Sequence, residues 1–392
     1  MLCCLLFRER ISNDNAKIIK KSATDDIFAT LMKIPLQGLK SAFLLLFPLV
    51  FLLSSCDDTD PRIIPDEILE DVETGFRLER LDLGMRAAAE ALEAEPSISD
   101  HDLYISHLSA YRPFIVEYLY AGEDSLANDS LIAADFGWVL RDSIFRSLIR
   151  FVTDTFPADY PFAKRLEKPL KRFKYVFPER QIPKFATYIS GYPQSASSGT
   201  DQVQITGSYF GFGLHYFLGP DFKFYPQDMP SYMKRQLRQE YLEKILFAGL
   251  AEMILPPVNR TITPRLLDGM IREGKKMYFL QIMLPEVPDS VLMNYSAEQR
   301  NWAIYHEARI YKLLLEHLYK TDMKAAQDYL GPKPYTTELA LNSAPRIGQF
   351  CGWMIVRAYM DKKREISLPE LMAEEDADKI LKGAGYKPEM RE

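Results

Sequence analysis

Few residues of the chain have the types and spacing that catalysis requires. The five histidines stand at positions 101, 107, 215, 306 and 317, and no two of them are four residues apart. A zinc hydrolase of the H-E-x-x-H type needs that spacing, because it places both ligands on one face of a helix. His306-Glu307 supplies half of the motif, but Ile310 occupies the position of the second ligand. We therefore expect no bound metal and no cofactor.

Without a metal, acid–base chemistry would depend on carboxylates. Glu273 and Glu307 fall on predicted helices with aromatic residues nearby, and Arg346 and Arg357 flank a glycine-containing helix. Paired carboxylates can exchange protons with a substrate, although carboxylates on helices are more often solvated or paired with Lys and Arg. Together with His306, these four residues form the candidate cleft. The sequence has no Gly-x-Ser-x-Gly elbow, and no catalytic residue is assigned.

The composition excludes several classes of protein. The chain has 392 residues, 48 of them basic and 54 acidic, and a net charge of −6. Nucleic-acid binding needs clustered Lys and Arg, so we expect no nucleic-acid partner. A hydrophobic fraction of 47% excludes a disordered chain. Four cysteines are too few for a disulfide scaffold, and Cys351, in an apolar stretch, is expected to be a buried thiol.

An apolar run near the amino terminus has the features of a secretory signal. Ser41–Leu53 is shorter than the ~20 residues of a membrane span, and Lys33 and Lys40 precede it, as in a signal peptide. The residues that follow resemble the lipobox of bacterial lipoproteins, namely Leu53, Ser54, Ser55 and the lipid-accepting Cys56. We therefore expect Cys56 to carry acyl chains such as palmitate and to anchor the protein in a lipid bilayer.

The position of this signal suggests how the chain is divided. Residues 32–55 alone make a conventional lipoprotein signal, so we expect translation to begin at Met32 and residues 1–31 to be a misassigned extension. Residues 56–65 include the acidic stretch Asp57–Pro61 and are predicted to be a solvated tether. The acylated protein is expected in the cell envelope, at the outer membrane, with the inner membrane and the surface-exposed face left open.

The remaining residues, 66–392, predict a single α+β domain. Residues from Asp66 to about Leu170 have helical periodicity, and β-branched and aromatic runs between Phe173 and Tyr225 predict a small antiparallel sheet. The residues after Pro230 are helical again. Long helices are predicted over Ser231–Leu255, Thr263–Leu284, Ser296–Tyr319 and Arg346–Lys362.

Three stretches of the sequence resemble one family. They are SYFGFGLHYFLGPDFKFYP, LLDGMIREGKKMYFLQIMLPEVPDSVLMNYSAEQRNWAIYHEARIYKLLLEH and SAPRIGQFCGWMIVRAYM. With the lipoprotein signal, they are similar to the gliding-motility lipoprotein family GldB, and the likeness covers most of the chain after the signal. The resemblance implies a lipid-anchored envelope protein with a part in the motility machinery, although relatives also occur in bacteria that do not glide.

The same region more distantly resembles the gluzincin type of zinc peptidase. Glu273-Gly274 corresponds to the pair that contains the third zinc ligand, and the stretch from Gly352 to Tyr359 corresponds to the last helix. The helix that should bind the metal is LEKILFAGLAEMILP, and it has neither the histidines nor the catalytic glutamate. The resemblance therefore implies a degenerate zincin-like scaffold without zinc and without peptidase activity.

Two hypotheses of function follow. The first is a non-catalytic envelope lipoprotein that binds or scaffolds an envelope protein partner, through the cleft that a zinc peptidase would use for its substrate. The alternative is a divergent, metal-independent hydrolase that uses Glu273 or Glu307 with His306. A cleft where His306 meets a carboxylate would favour the enzyme, and a dispersed arrangement would favour binding.

Overall fold

The computed structural model describes residues 64–390 except 121, 124–126, 192–201, 259–262 and 322. The predicted extension, the signal peptide and the lipobox residues, including Cys56, lie outside the described residues. The described part of the chain is mostly helical with a small sheet, which confirms the predicted α+β class. No helix in that part is long and apolar enough to cross a bilayer.

The amino-terminal half is helical, as the periodicity predicted. Its elements are α1 (Asp66–Glu70), β1 (Leu78–Arg80), α2 (Leu81–Ala94), α3 (Asp100–His107), α4 (Arg112–Leu119), α5 (Asp129–Arg141), α6 (Ser143–Thr155) and α7 (Phe162–Val176). Three of these helices begin at side-chain caps, because Ser99, Asn128 and Asp142 accept hydrogen bonds from backbone N–H groups of the first turn.

The sheet of the described residues has four strands in the order β1-β2-β4-β3. The three later strands are β2 (Lys184–Tyr188), β3 (Val203–Ile205) and β4 (Tyr209–Gly213). β2 pairs in parallel with both β1 and β4, whereas β3 pairs antiparallel with β4. Every residue of β4 is buried, and so is β2 from Phe185 onward. Continuous burial of this kind is typical of strands covered on both faces.

The predicted antiparallel sheet was therefore wrong for two of the three pairings. Strand-like composition identifies a strand but not the direction of its neighbour, and β1 lies in a stretch that was predicted to be helical. The KYVFP stretch, predicted as a strand, instead ends helix α7 at Val176. Phe173 and Phe177 pack there against the ring of Phe279, so tertiary packing overrides the β-propensity of the stretch.

The carboxyl-terminal half is helical again. Its helices are α8 (Ser231–Lys234), α9 (Leu242–Ile254), α10 (Leu266–Met283), α11 (Asp289–Met293), α12 (Ala297–Tyr305), α13 (Glu307–Leu315), α14 (Met323–Tyr329), α15 (Ile347–Lys362), α16 (Leu368–Ala373) and α17 (Ala377–Ala384). Short 3₁₀ turns lie at Ser109–Tyr111, Leu214–Tyr216, Arg235–Leu237 and Gln239–Tyr241. The predicted cap Ser296 forms a capping box with Gln299 at the start of α12.

Two of the predicted long helices are interrupted. The Ser231–Leu255 stretch breaks at Arg238, whose backbone is extended with φ −91° and ψ 150°. The Ser296–Tyr319 stretch breaks at His306, with φ −99° and ψ 19°. The other two predicted helices agree with α10 and α15 to within three residues.

Helices α10 and α15 cross with their backbones in contact. A Cβ atom on Gly352 would lie 1.9 Å from the carbonyl oxygen of Met270, and one on Gly274 would lie 2.3 Å from the carbonyl oxygen of Gly352. No real side chain tolerates such distances, so both glycines are needed for the close approach. Next to this contact, the Trp353 indole donates a hydrogen bond of 3.2 Å to Gln281 on α10.

Replacing Gly352 with Ala is expected to destabilise the fold by about 2 kcal/mol or more, because the new methyl group forces the two backbones apart. Urea denaturation followed by circular dichroism measures the change in free energy of unfolding. Gly269→Ala is the matched control on α10, because its Cβ would meet only the end of the Leu330 side chain. Equal losses at the two positions would contradict the role given to the crossing.

Candidate functional site

A cleft of about 640 Å³ opens between β3 and the helices α9, α10 and α15. Its polar and charged lining consists of Gln202, Gln204, Gln236, Lys244, Glu252, Glu273, Lys276, Arg346 and Gln349. Ile205, Ile245, Met277 and Leu280 are among the apolar residues that line it. The cleft thus combines an apolar surface with a small set of charged groups, as ligand sites generally do.

Helix α9 forms one wall of the cleft because of the spacing of its residues. Lys244, Ala248 and Glu252 are four residues apart and therefore lie on one helical face. Gly249 on the same side lets the helix approach the sheet closely, since a Cβ atom there would lie 2.5 Å from the ring of Phe210 on β4. This approach fixes the width of the cleft at β3.

Helices α10 and α15 supply the other charged residues. Their crossing at Gly274 brings Glu273 next to the first turn of α15, where the Gln349 amide donates a hydrogen bond of 3.2 Å to the Glu273 carboxylate. Arg346 immediately precedes α15 and has φ 49° and ψ 39°, in the left-handed region. Residues held in that conformation cluster at functional sites, because the surrounding structure has to compensate the strain.

Lys276 neutralises two carboxylates of the cleft. Its ammonium lies 2.6 Å from Glu252 and 2.5 Å from Glu273, and Arg272 lies 2.6 Å from Glu252 as well. Burial alone would lower the pKa of Lys276, but the two carboxylates outweigh it and raise that pKa. Burial would likewise raise the pKa of Glu252, but Lys276 and Arg272 reverse the effect and lower it. These groups therefore hold their charges at neutral pH.

Lys244 and Arg346 differ from Lys276, because neither has an ion pair or hydrogen bond from its side chain to another described residue. Burial lowers the pKa of Lys244 to about 7, and the nearby cations Arg346 and Lys276 lower it further against the opposing effect of Glu273. Burial also lowers the pKa of Arg346. The cleft therefore contains two partly buried cations that no described group compensates by direct contact.

Two amide oxygens at the cleft also lack partners within the described part of the chain. Gln202 is only 3% exposed, and its Oε1 atom accepts no hydrogen bond from a described donor. The same holds for Oε1 of Gln349, whose amide nitrogen is engaged with Glu273. A buried acceptor without a donor costs on the order of 1–3 kcal/mol, so a ligand with donor groups would relieve this cost.

The family model of the gliding motility protein GldB matches residues 67–388. The chain belongs to the GldB family. The matched range includes the whole cleft, and membership supports a gliding-motility protein of the cell envelope. No curated protein and no solved structure matches the chain significantly.

Of the five candidate residues predicted from the sequence, the GldB-family fold brings two together, Glu273 and Arg346. His306 lies elsewhere, at the break between α12 and α13. Its Nδ1 atom is 2.9 Å from the carbonyl oxygen of Trp302, and its ring stacks on the Trp302 indole at 4.3 Å between centroids. These contacts fix the imidazole within its own helical turn.

The other two candidates also lie apart from the cleft. The Tyr386 hydroxyl donates a hydrogen bond to Glu307, and the guanidinium of Arg357 sits 5.4 Å from the centre of the Trp353 ring. The expected meeting of His306 with Glu273 thus does not occur in the described cleft. The hydrolase hypothesis had only this geometric support from the sequence, and its activity stays an untested prediction.

Several residues of the site were not predicted, namely Lys244, Glu252, Lys276, Gln202 and Gln349. The repeat of polar residues eight apart on α9, at Lys244 and Glu252 in an otherwise apolar helix, was the available signal. The buried thiol predicted for Cys351 is confirmed, since the side chain is 1% exposed and burial raises its pKa. In the described part of the chain, His, Cys, Asp and Glu form no group of three or more that could hold a metal ion.

Replacing Lys244 with Met is expected to stabilise the GldB-family fold at pH 6.5 by about 1 kcal/mol or more. The pKa of Lys244 falls from 10.5 to about 7 on folding, so below pH 7 the folded protein carries the full cost of a buried charge. Between pH 7 and 10.5 the unfolded chain binds more protons, so the wild-type protein gains stability as the pH rises. The advantage of Met should therefore disappear near pH 10.

Urea denaturation at pH 6.5 and pH 10 provides this comparison. Lys324→Met is the control, because Lys324 is exposed on α14 and its removal should have little effect at either pH. An advantage of Lys244→Met that stayed the same at both pH values would contradict the assigned titration.

Proposed function

We propose that the chain is a non-catalytic, lipid-anchored component of the gliding-motility machinery that binds an extended segment of an envelope protein partner in the cleft. Membership in the GldB family supports the envelope setting. The observation that carries the binding role is the free edge of β3, which lines the cleft along its whole length.

The hydrogen bonds of β3 indicate how a segment would bind. The Gly213 N–H donates to the Gln202 carbonyl oxygen at 3.0 Å, and the Thr206 N–H donates to the Tyr209 carbonyl oxygen at 3.0 Å. In an antiparallel pair, alternate residues bond to the partner strand. Val203 and Ile205 therefore direct their backbone groups away from β4 and toward the open edge. An extended peptide can pair with such an edge as an additional strand.

The non-catalytic part of the proposal is supported by the state of the carboxylates. Glu252 and Glu273 are both paired with Lys276, and His306 is not at the cleft, so no acid–base pair faces a bound segment there. On the distant likeness to zinc peptidases, α9 would be the metal helix, and it has Ala248 and Glu252 where ligands would be sought. Elemental analysis that found one zinc per chain, lost in Glu273→Ala, would contradict this part.

A photo-crosslinker in place of Ile205 should join the protein to a partner in living cells. Ile205 is 45% exposed at the open edge of β3, so a bound segment would lie within reach. The adduct is detected as a heavier band on immunoblots and its partner is identified by mass spectrometry.

Two controls give this experiment its meaning. The same crosslinker at Leu341, which is 80% exposed and outside the cleft lining, should give no such adduct. Ala248→Trp adds a large side chain to the cleft wall and should remove the Ile205 adduct. An adduct that survived Ala248→Trp, or formed equally at Leu341, would overturn binding in the cleft.

The lipid anchor is the second part of the proposal and depends on Cys56. Cys56→Ala should abolish incorporation of labelled palmitate and shift the protein from the detergent phase to the aqueous phase of a Triton X-114 extract, because the acyl chains are lost. Cys4→Ala is the matched control and should change neither result. Acylation that persisted without Cys56 would contradict the anchor, and sucrose-gradient fractionation tests the proposed outer-membrane location.

A further inference from the structure

The charged groups of the cleft point to the chemistry of its occupant. The lining includes three cations, Lys244, Lys276 and Arg346, and two carboxylates, Glu252 and Glu273. Lys276 is engaged by both carboxylates, whereas the other two cations contact no described partner. The cleft therefore has a surplus of one positive charge, located at Lys244 and Arg346.

A buried cation without a partner is unfavourable, and an anion from a ligand would remove this cost. Partly desolvated charges interact more strongly with each other than exposed ones, and Arg346 can hold a carboxylate through two nitrogens at once. A single surplus charge matches one carboxylate better than a doubly charged phosphate.

The amide oxygens of Gln202 and Gln349 give independent support. Both are acceptors without a described donor, and Gln202 is nine-tenths buried or more. A simple anion offers only acceptors and would leave these oxygens unsatisfied. A peptide offers backbone N–H donors together with an acidic side chain, so it satisfies both the acceptors and the cations.

We propose that the cleft selects an acidic peptide segment, with a carboxylate bound between Lys244 and Arg346 and backbone N–H groups directed to Gln202 and Gln349. This inference rests on the proposed function and adds the chemical class of the partner. The segment lies along β3, so one acidic residue sets its register while the strand edge binds its backbone.

A selection of random peptides on the full chain in detergent provides the test. Twelve-residue peptides displayed on phage are selected on the wild-type protein, and those that fail to bind Ala248→Trp are retained as cleft binders. We expect Asp or Glu at one shared position of these peptides. No cleft binders at all would overturn the proposed function, whereas cleft binders without a shared acidic residue would overturn this inference alone.

Synthetic peptides then identify the contact. Replacing the shared Glu with Gln in an amidated peptide should weaken binding about tenfold, as expected for a charge-assisted hydrogen bond. Lys244→Met should weaken the Glu peptide by a similar factor and leave the Gln peptide unchanged, because the two changes remove one interaction. Lys244→Met is expected to be a stable protein, so its loss of binding would not reflect unfolding.

Further arms separate the remaining alternatives. Lys324→Met should bind both peptides like the wild type, and equal losses in that variant would overturn the assignment. The Gln peptide with a free carboxyl terminus should not regain affinity, and recovery would overturn the side-chain source of the carboxylate. Displacement of the Glu peptide by inorganic phosphate, at concentrations where acetate has no effect, would overturn the choice of a carboxylate.

Discussion

The backbone contact between α10 and α15 is the constraint on which the cleft depends. With Gly274 and Gly352 at the crossing, the distance between the helices is set by main-chain atoms and not by flexible side chains. Glu273 adjoins one glycine, and the first turn of α15 carries Gln349, so the hydrogen bond between these two residues follows from the crossing. A wall fixed in this way can hold charged groups in one geometry, which binding sites require.

The same rigidity explains how the cleft keeps two cations without direct partners. In a flexible site, Lys244 and Arg346 would move toward solvent or toward the nearest carboxylate. Here α9 is fixed to the sheet at Gly249, Arg346 is held in a left-handed conformation before α15, and Lys276 already occupies both carboxylates. The fold thus maintains an electrostatic cost within a site that other parts of the structure stabilise.

The sequence predicted the fold class and the long helices α10 and α15, because these depend on local periodicity and caps. It did not predict strand directions or β1, since pairing with distant strands leaves little local signal. Glu273 and Arg346 were found because they adjoin the glycine-containing stretches. Lys244 and Lys276 were missed because a lysine on an amphipathic helix has the same local pattern whether it is solvated or faces a cleft. His306 was predicted with them although its Trp302 contacts hold it elsewhere.

The strand order has a mechanical consequence. β1 lies at one edge of the sheet and follows the amino-terminal residues, whereas β3 lies at the other edge and borders the cleft. A pull between an amino-terminal anchor and a segment bound at β3 would therefore cross the sheet from strand to strand. The β2–β4 ladder pairs five residues, but the two edge ladders pair three each. Under tension the edge ladders would yield first, so they limit the force that the protein can transmit between an anchor and its partner.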